Sequence, residues 1–167
     1  SERAMLTIDE GLVERTWEAV RAYAPEEAKR EAAAFLDRQP HVVTFVRAFG
    51  EEFPESVRGL ALGVVYFLFK VLEAGREEPL PTVPGVRLRE AYQKNLAWLE
   101  EFEVGDEEVD DRFLERRLQA SGTFPQPNFL LYLLKVFYRE DPGTAEFDRE
   151  AKAHLFLLLK TVLDSLA

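Results

Sequence analysis

Three stretches of this chain, residues 59–72, 129–138 and 155–163, are apolar on nearly every side of a helix. A helix of that kind has to be covered on every side. The fold must therefore wrap other elements around these three, or one of them is covered by a second copy in a homodimer. A membrane span is the competing use of such a run. Crossing hydrocarbon takes about 20 apolar residues. These runs are shorter, and each carries a lysine: Lys70, Lys135 or Lys160. They are read as core helices.

Proline and glycine divide the rest of the chain. Thr7-x-x-Glu10 has the form of a capping box, and Ile8, Leu12, Val13, Trp17, Val20 and Tyr23 follow at helical spacing until Pro25 stops the run. Pro25 also suits a first helical position, which places a second helix over 25–38 with Ala28, Ala32, Phe35 and Leu36 on one face. A third helix opens at Gln39-Pro40 and ends at Gly50; a fourth opens at Pro54 and closes at Gly75. Residues 76–85 read REEPLPTVPG, and prolines at 79, 81 and 84 favour an extended connector. Beyond it a fifth helix carries Leu88, Tyr92, Leu96, Leu99 and Phe102 to Gly105, and a sixth carries Val109, Phe113, Leu114 and Leu118. A seventh opens at Gln126-Pro127, and an eighth runs from about Ala145 to Leu166. No segment alternates in the manner of a strand. The expected class is all-α, with about eight helices.

The two sides of the connector echo each other. Trp17 and Trp98, the only tryptophans, fall in the first helix of each side, and Gln39-Pro40 and Gln126-Pro127 open the third. The expected organisation is a first four-helix half over 6–78, the connector over 79–85, and a second half over 86–167. The halves are expected to pack as one globular domain, a bundle or a short repeat-like stack. Residues 1–5 read as a cloning remnant rather than a targeting peptide.

Charge excludes several partners. With 21 Lys and Arg against 31 Asp and Glu the chain carries −10, which repels a nucleic-acid backbone. No cluster of four or more basic residues offers an anionic membrane a local foothold. The absence of cysteine removes thiol catalysis, disulfides and thiolate metal sites, and a cytoplasmic location is expected. Glu over Asp, Arg over Lys, and only two Asn and four Gln lean toward a thermophilic or GC-rich source.

Candidate chemistry is sparse. His154 follows Glu150 by four residues, a spacing that lets an imidazole and a carboxylate share one helix face. A di-iron bundle needs two Glu-x-x-His segments, and neither His41 nor His154 has that spacing. No metal or cofactor is expected. Ser56, Ser121 and Ser165 stand in no Gly-x-Ser-x-Gly setting. Lys70, Lys135 and Lys160 are expected to snorkel, stems along the core and ammonium groups at its rim. A pocket between the apolar helices would draw its polar contacts from Tyr66, Lys70, Tyr132, Lys135, His154 and Lys160.

The sharpest charge feature is residues 100–111, where eight of twelve residues are acidic and none is basic. Asp106, Glu107, Glu108, Asp110 and Asp111 fall where a sixth helix would begin, and there negative charge complements the macrodipole. Glu100, Glu101 and Glu103 fall at the end of the fifth helix, where the same physics opposes them. These eight residues are the expected partner-binding surface. The leading function expected is a non-catalytic protein-interaction module: a scaffold, adaptor or chaperone-like chain. The alternative is a small-molecule-binding or metal-dependent enzyme with its pocket between the core helices.

Overall fold

Asp9 starts the first helix. In the computed structural model, which describes residues 8–53, 55–103, 129–139 and 149–166, α1 spans Glu10–Arg21. The Asp9 carboxylate accepts the Leu12 amide at 2.8 Å. The expected Thr7 cap is thereby corrected: Asp9 satisfies an orphan amide of the first turn. With the helix beginning there, Ile8 precedes the cap and Val13 lies four residues after it, the two positions of a hydrophobic staple, and both are buried.

Six further helices follow among the described residues, with no strand: α2 (Pro25–Arg38), α3 (Pro40–Phe49), α4 (Glu55–Ala74), α5 (Gly85–Glu103), α6 (Phe129–Arg139) and α7 (Arg149–Ser165). Pro25 and Pro40 each occupy a first-turn position, as the sequence predicts, and a 3-10 turn over Gly50–Glu52 links α3 to α4. The expected sixth helix and the starts expected at Gln126 and Ala145 lie outside the described residues.

The apolar runs are central. α4 packs against α1, α3, α6 and α7, which is why Ala61, Val64, Val65, Phe67, Leu68, Phe69, Val71 and Leu72 are all buried. In α7 every residue from 155 to 162 is buried, and its most extensive partner is α5. The core thus draws on both sides of the connector, since α1 also packs on α6. Trp17 meets Phe67 edge-on at 5.0 Å and Phe137 at 5.8 Å, joining α1, α4 and α6. Gly63 permits that approach, because a Cβ there would sit 3.3 Å from Phe137 Cζ. Gly59, the other half of the Gly-x-x-x-Gly pair, has nothing within 4 Å of the same position.

α2 is the exception to deep packing. Phe35 is its only buried residue, while Ala32 and Leu36, expected on the same face, are exposed. The helix meets the core along a strip too narrow for the predicted face. Its C-terminal end is fixed by Gln39, a buried side chain that donates to the Pro81 carbonyl at 2.8 Å and accepts from the Val83 amide at 3.0 Å. One glutamine thereby satisfies two backbone groups of the connector, and Leu80 and Val83 turn into the core beside it.

Candidate functional site

Three constellations of side chains stand out, two of them polar and organised by lysines of the apolar helices. On α4, the Lys70 ammonium bonds the Glu31 carboxylate of α2. It also lies 5.7 Å from the Tyr23 ring centroid and 5.6 Å from that of Tyr66. Burial pulls the Lys70 ammonium down, but the bond to Glu31 and the surrounding Tyr66, Tyr23 and Glu31 charges outweigh it, so its pKa is raised above the usual 10.5. The bond from Lys70 holds the Glu31 carboxyl below its usual 4.5, and desolvation raises the Tyr66 phenol. Arg38 and Glu73 complete a notch beside this group with space for about one water molecule. The notch suits a bridging water between charged groups.

On α7, Lys160 does not snorkel; its side chain is 5% exposed. Its ammonium donates to Asn95 Oδ1 of α5 and to Asp164 Oδ2, each at 2.8 Å. The Asn95 amide nitrogen donates in turn to Asp164 Oδ2 at 3.0 Å and to Thr161 Oγ1 at 3.4 Å. The snorkelling expectation fails here for a physical reason. α7 is covered all round at this level, so the cheapest course is to bring acceptors to the ammonium rather than the ammonium to water. Lys135 behaves as expected and is exposed.

The third constellation is aromatic. Phe45 and Phe49 of α3 meet Tyr92 of α5 at 5.6 and 5.8 Å, Phe49 meets Phe53 at 5.4 Å, and Phe53 meets the His154 ring at 5.3 Å. His154 therefore packs edge-on against the Phe53 ring.

The six pocket candidates are dispersed. Tyr66 and Lys70 come together on the α2 side, Tyr132 donates its hydroxyl proton to Glu14 of α1, and His154 joins the row at Phe53. Lys160 sits in its own knot with Asn95 and Asp164. Among the described residues no group of three or more His, Asp or Glu is arranged to hold a metal ion, and no helix is long and apolar enough to cross a membrane. Glu31, Asn95 and Asp164 are the participants that sequence reading missed. Asp164 had a signal, its i+4 spacing from Lys160; Asn95 had none, being 65 residues away from it.

α5 continues through Glu103, so Glu100, Glu101 and Glu103 stand in its last turn, which contains no basic residue. Asp106, Glu107, Glu108, Asp110 and Asp111 lie outside the described residues. Comparison of the chain with protein-family models, curated proteins and solved structures finds no match.

Proposed function

We propose that this chain is a non-catalytic protein-interaction module, an acidic helical scaffold or adaptor that captures its partner through residues 100–111. The observation that carries the reading is the placement of Glu100, Glu101 and Glu103 at the C-terminal end of α5. Negative charge in a last turn opposes the macrodipole, at a cost of about 0.3–1 kcal/mol per charge. Charges that oppose their own helix are explained by something outside it, and a basic surface on a partner supplies that explanation. The internal pairing of Lys70 and Lys160 supports the same reading, because it commits these cations to holding helices together. We also propose that the chain works in the cytoplasm and that its two four-helix halves, 6–78 and 86–167, arose by duplication, supported by the paired Trp and Gln-Pro positions.

The test is affinity capture from an extract of the source cells with quantitative mass spectrometry. Replacing Glu100, Glu101 and Glu103 together by lysine is expected to lose the captured protein while the helical circular dichroism stays unchanged. Capture that survives the reversal contradicts the proposal.

A further inference from the structure

α2 is fastened at few points. Its fourteen residues place one side chain in the core, Phe35, whereas the ten residues of α3 place three, Val42, Val43 and Val46. Phe35 meets two rings of α4, Tyr66 edge-on at 5.5 Å and Phe69 at 5.2 Å. One turn earlier the Glu31 carboxylate accepts the Lys70 ammonium, so a ring and a carboxylate at i and i+4 spacing share the face of α2 turned to α4. Ala32, Ala33, Leu36 and Asp37 are exposed. The Lys29–Glu26 pair on its surface is open to solvent on both sides and adds little.

The ends of α2 are also decoupled from its neighbours. Ala24 at the N-cap has no side chain to hold the first-turn amides. At the other end Gln39 is at once the C-cap of α2 and the N-cap of α3, and Pro40 keeps the helical hydrogen bonds from running through. Gln39 is bonded to the Pro81 carbonyl and the Val83 amide, so this junction is anchored by the connector rather than by α2. A helix of fourteen residues is marginal in water by itself. Released from α4, α2 therefore loses its order between two ends that stay in place, α1 with Val13 and Trp17 packed in the core and Gln39 in its socket.

We infer that α2 is a latched lid, which leaves α4 and unravels as one unit while the rest of the fold stays intact, with the Glu31–Lys70 pair as its latch and Gln39 as its fixed end. Opening takes Phe35 off the Tyr66 and Phe69 rings and frees the Lys70 ammonium, uncovering an apolar surface with a cation at its edge. Such a local opening has its own free energy, below that of global unfolding. The lid is separate from the acidic surface at 100–111, and neither depends on the other.

Native-state amide hydrogen exchange of the full chain, read residue by residue where opening and closing are fast, tests this in the parent, Asp164→Ala and Glu31→Gln. Asp164 belongs to the contact of α5 with α7, which persists when the lid opens. Asp164→Ala is therefore expected to speed the core amides of α7 on the order of a hundredfold and to leave α2 unchanged. Glu31→Gln breaks the latch and is expected to speed α2 about two- to fivefold. The parent chain in rising sub-denaturing urea gives a second reading that needs no variant. Exchange in α2 should stay nearly flat, because its opening exposes little surface, while that of α7 climbs steeply. The amides of residues 32–37 should share one opening in every case. Acceleration of α2 together with α7 in Asp164→Ala or in urea overturns the inference, as does indifference of α2 to Glu31→Gln. A smooth gradient of rates falling inward from Pro25 is fraying from an end rather than a lid, and overturns it as well.

Discussion

Lys70 and Lys160 occupy equivalent situations in the sequence, each a single cation on a greasy helix, and the fold treats them differently. Lys70 reaches across from α4 to α2 and meets a carboxylate whose side chain is 40% exposed. Lys160 meets Asp164 one turn along its own helix and Asn95 from the neighbouring helix, with its own side chain 5% exposed. The first is a strap on a surface helix that has one buried residue, Phe35. The second is a knot inside the most extensive helix pair, α5 with α7. What separates them is how completely the helix is wrapped: an ammonium at the edge keeps some water, and one at the centre must be given acceptors by its neighbours.

Breaking the knot should cost the most stability. Asp164→Ala takes one acceptor from a buried ammonium and is expected to cost about 3 kcal/mol, read from urea unfolding. For a chain of this size that is a fall in Tm of roughly 6–12 °C. Replacing the charged part of the knot, with Lys160→Met, Asn95→Leu and Asp164→Leu together, is expected to recover most of that loss, because both buried charges go together and Thr161 Oγ1 loses only a long bond of 3.4 Å. A triple variant as unstable as Asp164→Ala would show that the knot stabilises the fold beyond the mere satisfaction of its own charges.

The strap is expected to be weaker. Lys70→Met should cost about 0.5–1 kcal/mol, reduced by salt, because its partner is solvated. Its pH dependence sharpens the contrast. The lowered Glu31 pKa makes the pair's contribution fully present above about 4.5 and lost as pH falls through the folded value below it. The raised Lys70 pKa keeps the contribution present up to about 10.5 and loses it as pH rises through the folded value above. The stability gap between the parent chain and Glu31→Gln, measured by urea midpoints, should therefore be flat between those limits and close on either side. The smallest contrast lies on α4. Gly59→Ala should stabilise by about 0.5–1 kcal/mol through helix propensity, whereas Gly63→Ala should forfeit that gain against Phe137 Cζ at 3.3 Å.

Much of the scaffold was legible. Pro25, Pro40 and Gly75 mark boundaries because their backbone limits are local and survive any packing, and the apolar runs announce a core because they have no polar face to offer water. Asp9 displaced Thr7 as a cap since two acceptors two residues apart compete for the same first turn, and the burial of Ile8 goes with the later start. The exposed face of α2 was illegible: Ala32 and Leu36 carry the right spacing, and only the width of the contact decides whether they are covered. For the polar groups the limit is sharper. Asp164 was within reach of an i,i+4 argument, while Asn95 and Glu31 lie 65 and 39 residues from the lysines they satisfy, distances that only the packed structure closes.

Under the proposed function, the core lysines hold the fold and residues 100–111 make the partner contact. Affinity capture run side by side on the parent chain, the Glu100, Glu101 and Glu103 lysine variant, and Lys160→Met/Asn95→Leu/Asp164→Leu separates the two roles in one measurement. Partner recovery is expected to vanish in the first variant and to match the parent in the second. Recovery that persists in the first and vanishes in the second, with both chains folded, would contradict the account.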